Sequence, residues 1–332
     1  MKHLNALKII IFCFLTYACT STTEKEVILY EIKKDGKWGW YKDGDKEINP
    51  RYSGEILNGK PNGKGSILFP DGAEYHGELK NGKLNGYGKY SYHHGDIYEG
   101  EWLDNKKHGK GKYKWGKSSK WSGDEFDGQW YENKEHGYGK YTSSNGNIYQ
   151  GQWKNGMQTG RGTWITSDRF YSGYFLNDKL NGIGAMIRSS GEQAIGWWKD
   201  GNQINVHYYK ETGKYIGSII DGKKSNLENN ENILFGRVKK GEPEWSLLKS
   251  PSYKAKYIGE TKNEKPHGWG TLRMPGDRLY IGKFKNGKMN GFGITHRKRK
   301  EDIGIGIHKG TKPMDIIIYK KNGQIIGKYK KK

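Results

Sequence analysis

Apolar and polar positions alternate along most of this chain with a period of two. In Tyr98-Glu99-Gly100-Glu101-Trp102 the residues Tyr98, Gly100 and Trp102 fall on one face, and Glu99 and Glu101 on the other. The next segment repeats the pattern, with Gly111, Tyr113 and Trp115 against Lys112 and Lys114. Period two is the signature of half-buried strands. Turn signals separate the strands: Asn58-Gly59, Asn81-Gly82, Asn155-Gly156 and Asn286-Gly287. Asn-Gly suits a backbone with positive φ and marks a tight β-hairpin.

The hairpins recur. Tyr-x-Gly begins at Tyr52, Tyr75 and Tyr98, a step of 23 residues, and returns at Tyr149, Tyr171, Tyr215, Tyr257 and Tyr280. Phe126-Asp127-Gly128 and Ala194-Ile195-Gly196 keep the phase with a changed first residue. A second mark, Gly-x-Gly, follows in most copies, as in Gly86-Tyr87-Gly88 and Gly291-Phe292-Gly293. Stacked copies give columns that include Tyr75, Tyr98, Trp102, Trp130, Tyr149, Trp153, Trp164, Tyr171 and Tyr280. Cross-strand pairs of such rings stabilise a sheet, and the Gly columns leave room for a ring over the backbone. One hairpin alone is marginal in water, so the units must stack.

Tyr-x-Gly, an Asn-Gly-type turn and Gly-x-Gly on this step resemble MORN repeats, from about Tyr52 to Gly222 and from Tyr257 to about Gly310. The resemblance implies an all-β, elongated single-layer antiparallel hairpin array. About ten units at two strand spacings each would run to roughly 100 Å. The expected organisation is a signal sequence over 1–19, an N-terminal cap over 20–51, repeats over 52–222, a degenerate segment over 223–256, further repeats over 257–310 and a basic closing strand and tail over 311–332. Within the cap, Asp35-Gly36-Lys37-Trp38-Gly39 resembles a WG repeat. Lys114–Glu125 reads as an insertion and Ile316-Ile317-Ile318 as the closing strand.

Composition sharpens this picture. Gly is 50 of 332 residues and aromatics are 14%, a balance that suits many short strands with tight turns and excludes a disordered chain. Net charge is +22, from 58 basic against 36 acidic residues. That excess either solvates strand surfaces and edges or favours anionic partners. At the N-terminus, Lys2, His3 and Lys8 precede an apolar run from Ile9 to Ala18 that ends at Cys19. The run is too short to span a bilayer, which needs about 20 residues, and reads as an export signal. A Cys after such a run resembles a bacterial lipoprotein signal, making Cys19 the candidate lipidation site; Thr16 stands where an apolar residue is usual, so plain cleavage stays open. The sequence therefore points to an exported cell-envelope protein, lipid-anchored or simply cleaved.

Three apparent chemistries fail on context. Gly111-Lys112-Tyr113-Lys114-Trp115-Gly116-Lys117-Ser118 matches a phosphate loop in letters, but nothing after it has a helical period. His108, His136 and His267 share a slot held elsewhere by Asn62, Asn85, Asn181 and Asn290, which reads as a turn position. Glu55, Glu78 and Glu101 form a column continued by Gln129 and Gln152, but an open sheet offers no water-excluded cleft between them.

The expectation is a non-catalytic scaffold or binding protein with no metal, cofactor or small-molecule substrate. It would meet a protein partner or an anionic membrane surface through its aromatic columns and basic edges. The basic candidates are Arg297, Lys298, Arg299, Lys300, Lys330, Lys331 and Lys332. The alternative is a surface glycan-binding module that stacks sugars on exposed aromatic columns. Nucleic acid fits the charge, but the export signal argues against it.

Overall fold

The protein is described here by a computed structural model covering residues 24–225, 232–239, 242–248, 252, 254–297, 301–310 and 312–331. The expected signal segment and Cys19 lie outside the described residues.

The chain forms two antiparallel sheets, with no helix among the described residues. The first opens with β1 (Glu24–Lys34), β2 (Lys37–Tyr41), β3 (Arg51–Leu57), β4 (Lys60–Leu68), β5 (Glu74–Lys80), β6 (Lys83–Ser91), β7 (Ile97–Leu103), β8 (Lys106–Lys114) and β9 (Glu125–Tyr131). It continues with β10 (Lys134–Thr142), β11 (Ile148–Lys154), β12 (Met157–Ile165), β13 (Arg169–Leu176), β14 (Lys179–Arg188), β15 (Gln193–Lys199), β16 (Asn202–Tyr209), β17 (Tyr215–Ile220) and β18 (Lys223–Ser225). The second holds β19 (Asn232–Lys239), β20 (Glu242–Ser246), β21 (Ala255–Lys262), β22 (Lys265–Met274), β23 (Arg278–Lys285), β24 (Lys288–Arg297), β25 (Asp302–Lys309), β26 (Lys312–Lys320) and β27 (Ile325–Lys330). From β3 to β18, and again from β21 to β27, each strand pairs with its neighbours in sequence. This is the all-β hairpin array that the periodicity predicts. The 223–256 segment contains the change of sheet, and the part expected to lose the pattern forms the β19–β20 hairpin. Ile316-Ile317-Ile318 lies in β26, and β27 closes the sheet beyond it.

The local geometry follows from residue type. Asn58 and Gly59 have φ of 50° and 71°, the positive values that a two-residue turn between twisted strands requires. After the first Gly of each motif the register shifts, as between Gly100 and Trp102 in the β7–β8 pair. Opposite that shift Gly109 has φ of 58°, the bulge position for which Gly is favoured. The slot of His108, His136 and His267 is therefore the strand residue before the bulge, not a turn as expected; the positive φ belongs to Gly109, Gly137 and Gly268.

Each sheet has a ring face and a back face. The Tyr and Trp of Tyr-x-Gly-x-Trp lie on the ring face. Over β7–β11 the back face carries Glu99, Glu101, Asp127, Gln129, Gln150 and Gln152, which stay wholly or partly exposed. From β12 onward it changes: Phe170, Ala185, Ile187 and Ile195 are buried against Ile281, Ile294, Ile305 and Ile317 of the second sheet. The array thus doubles back and packs back face to back face, so the expected single layer holds only over the earlier units. The second sheet runs in reverse: Thr271 Oγ1 donates to the Gly213 carbonyl at 2.9 Å, whereas Tyr319 Oη lies 2.7 Å from Thr163 Oγ1. Arg161 seals the far end with an ion pair to Asp315 at 2.6 Å.

Candidate functional site

The ring face of the first sheet is a closed ladder. Trp102, Tyr98, Trp130, Phe126 and Trp153 alternate edge to face, with successive centroids 5.0, 5.3, 5.2 and 5.1 Å apart. The ladder continues through Tyr149, Phe175 and Tyr171 to Trp198. The tryptophans therefore do not touch one another; a Tyr or Phe separates each pair. Tyr98 Oη donates to the Glu101 carbonyl at 2.9 Å, and Trp130 Nε1 to the Gly111 carbonyl at 3.0 Å. A methyl group at Gly111 would overlap the Tyr98 ring, which is why that column is Gly.

The carboxylate column caps the register shift. Glu101 accepts the backbone N–H of Lys110 at 2.9 Å, and Gln129 and Gln152 accept those of Tyr138 and Arg161 at 2.8 and 2.9 Å. Only an acceptor oxygen is needed there, so Gln serves as well as Glu.

These contacts decide the fate of the aromatic candidates. Tyr75, Tyr98, Trp102, Trp130, Tyr149, Trp153, Tyr171 and Tyr280 are all buried. They are packing elements, and the expectation that the columns present themselves to a partner or a sugar gives way, because neighbouring units cover each ring. Trp164 alone among them is open to solvent, 43% exposed. Among the basic candidates, Arg297 holds Asp302 through two hydrogen bonds of 2.7 Å, so its charge is offset within the chain. Lys330 and Lys331 are exposed at the C-terminal edge. Lys298, Arg299, Lys300 and Lys332 lie outside the described residues.

In the second sheet the ladder runs from Tyr257 through Phe284 and Tyr280 to His308, then stops. The next unit has Gly304-Ile305-Gly306 where the others have Tyr-x-Gly. Gly306 pairs with Ile316, whereas the equivalent Gly282 pairs with Gly293. The unit has thus lost its ring, and a side chain stands where the backbone was bare. Beside this gap opens a cavity of about 1070 Å³. Its floor includes Leu272, Met274, Met289, Ile316 and Ile318, between Trp245 on one side and Tyr329 on the other.

The electrostatics of this groove are one-sided. Lys254, Arg278, Lys309 and Lys312 line it, and none makes an ion pair among the described residues. Arg237 also lines it and is held by Glu244 at 2.6 Å. No Asp or Glu is among the lining residues. His308, also in the lining, has its pKa pressed to about 4 by burial, against a hydrogen bond to the Gly306 carbonyl, and is neutral at pH 7. Among the described residues, no group of three His, Cys, Asp or Glu could hold a metal ion. The groove suits an apolar body carrying negative charge. Sequence reading missed it, although Gly304-Ile305-Gly306, a motif without its ring, was the signal.

The MORN repeat family matches the chain at residues 52–74, 75–97, 98–120, 126–148, 149–168, 171–193 and 280–298. No curated protein matches it. Among solved structures, the TCP10c domain of Drosophila melanogaster Sas-4 is 12% identical, over 46% of this chain and 90% of that one, with a TM-score of 0.29. A mutant of the TCP10 domain of Danio rerio CPAP is 10% identical, over 80% of this chain and 99% of that one, with a TM-score of 0.20. The chain therefore carries seven MORN repeats, six in the first sheet and one in the second.

Proposed function

We propose that this protein is a non-catalytic scaffold of the bacterial cell envelope, exported through its N-terminal signal and attached to an anionic partner through its second sheet. The first sheet is the rigid part, since its rings are sealed in a ladder. The second sheet is the contact layer. The observation that carries this reading is the set of cations along the groove, Lys254, Arg278, Lys309 and Lys312, with no lining carboxylate to neutralise them. Exposed Lys330 and Lys331 extend the same charge along the edge. Such charge attracts anionic lipid or an acidic protein surface, with a strength that falls as salt rises. Acylation of Cys19 would place the chain at the membrane; plain cleavage would release it to the same compartment.

The test is sedimentation of the secreted form, beginning at residue 20, with neutral and anionic phospholipid vesicles. Binding to anionic vesicles that weakens at high salt is expected. No binding to either at low salt would remove the membrane version and leave an acidic protein surface, to be sought in envelope extract.

A further inference from the structure

We propose that the groove of the second sheet binds a monomeric anionic amphiphile, with one acyl chain on the apolar floor and a carboxylate or phosphate head among the lining cations. The proposal builds on the reading of that sheet as a contact layer, but concerns a single molecule rather than a surface.

The first ground is the origin of the groove. Every other regular unit of the second sheet closes its ring face with Tyr257 or Tyr280 lying over a Gly. At Gly304 the ring is absent, and Ile316 fills only part of its place. A Cβ at Gly304 would meet only the flexible Thr295 side chain at 2.5 Å and Ile316 Cδ1 at 3.3 Å, so no backbone closes this gap. At about 1070 Å³ the cavity is at the upper end of the ~300–1,000 Å³ typical of small-molecule sites.

The second ground is the pairing of floor and charge. Arg297 and Arg237 are engaged with Asp302 and Glu244, while Lys254, Arg278, Lys309 and Lys312 have no ion pair among the described residues. The surplus faces a cavity whose floor is aliphatic. Each CH₂ of an acyl chain that leaves water on such a floor favours binding, and an anionic head supplies the charge that the protein itself lacks there.

Shape excludes a flat partner. The accessible part of the floor, half-buried Met274 and Ile318, lies between Trp245 and Tyr329, a slot that takes one extended chain rather than a bilayer surface. A peptide fits less well. Its backbone N–H and C=O groups would need partners, and the floor is made of side chains standing on strands already paired on both sides.

Calorimetry on the full chain tests this with four ligands below any micelle-forming concentration: decanoate, decyl phosphate, decyl maltoside and inorganic phosphate. Decanoate and decyl phosphate should each bind at least tenfold more tightly than the neutral decyl glycoside or phosphate alone. The two anions separate a fatty carboxylate from a phosphate monoester as the preferred head. Gly304→Tyr combined with Ile316→Gly restores the missing ring and its Gly seat, and should abolish amphiphile binding while near-ultraviolet dichroism shows an ordered fold. Lys309→Gln with Lys312→Gln should reduce the preference for the anions and leave decyl maltoside unchanged. Unchanged binding in the ring-restored variant, or equal affinity for charged and neutral chains, overturns the proposal. Vesicle binding without monomer binding also overturns it and leaves the surface reading intact; monomer binding without vesicle binding does the reverse.

Discussion

Replacing Trp130 by Ala probes whether the ring ladder holds the array together. Trp130 is 4% exposed. Its ring meets Tyr98 and Phe126 edge to face at 5.3 and 5.2 Å, and its Nε1 donates to the Gly111 carbonyl at 3.0 Å. Losing a buried ring of this size costs about 3–5 kcal/mol in a core. Each edge-to-face pair adds about 0.5–1.5 kcal/mol beyond area burial, and a lost hydrogen bond about 1 kcal/mol. These overlap with the truncation cost, and the single layer here lets water reach one side of the gap. An expected loss of about 3–4 kcal/mol follows, near the lower end of that range. Trp130→Phe keeps a ring between Tyr98 and Phe126 and loses mainly the indole N–H, so it should cost about 1 kcal/mol. Urea unfolding followed by far-ultraviolet dichroism measures both. Stability in a stacked repeat is a sum of unit and interface terms. The Ala variant should therefore also split the transition, because the β8–β9 junction fails before the sandwich does. Equal stability of wild type and the Ala variant would show that the ladder is not the spine, and the structural account of the Trp and Tyr columns would fall with it.

Two further outcomes are expected. Lys107 occupies the slot that Leu84 fills one unit earlier, its Nζ 4.3 and 4.6 Å from the Tyr113 and Trp130 ring centroids, and burial presses its pKa to about 8. The folded state thus releases this proton before the unfolded state does, and stability from this group rises between about pH 8 and pH 10.5. Lys107→Leu should raise the melting temperature at pH 7 and lose that advantage near pH 10; a variant less stable at both values would mean that the cation–ring contacts dominate. At the interface between the sheets, burial presses His207 and His296 to about 4, with Lys283 lowering the first, and Glu211 and Lys321 acting in opposite senses on the second. The unfolded state then binds more protons between about pH 6.5 and 4, so stability falls on acidification through that window. Hydrogen exchange should show the second sheet losing protection first, and a flat profile from pH 7 to 4 would refute this.

The strands, turns and ring columns were legible because they are local. Tyr98-Glu99-Gly100-Glu101-Trp102 states its own two faces, and Asn81-Gly82 states its own turn. The doubling back was not legible in that way. It depends on contacts such as Arg161 with Asp315 and Thr163 with Tyr319, which join residues more than a hundred positions apart. A trace was nevertheless visible. The middle residue of Tyr-x-Gly is Glu99, Asp127 or Gln150 in the early copies, and Ile195, Ile258 or Ile281 in later ones. Alternation reports that each residue lies on the back face; it does not say what covers that face. The role of the carboxylate column was not legible for a related reason. Its role as a cap depends on a register shift, which no strand period contains.

One motif therefore serves four purposes in this chain, and single positions decide which. Where the middle residue is Glu99, Asp127 or Gln150 the back face meets water; where it is Ile195 or Ile281 it meets the other sheet. With Tyr over Gly the ring face is sealed; with Gly304 and Ile316 in those places it opens. Opening a ring face is costly, since an intact unit buries its Tyr almost completely, as Tyr257 and Tyr280 do. The sandwich offsets that cost. Ile305, between Gly304 and Gly306, is fully buried against the first sheet, and Tyr319 on the next strand donates to Ser172 at 2.6 Å. The unit that has given up its ring is thus anchored from behind, and a repeat in the single-layer part of the array would have no such support. That is the physical reason for the groove to lie where the chain has doubled back: only there can a unit lose its own seal and still hold its shape.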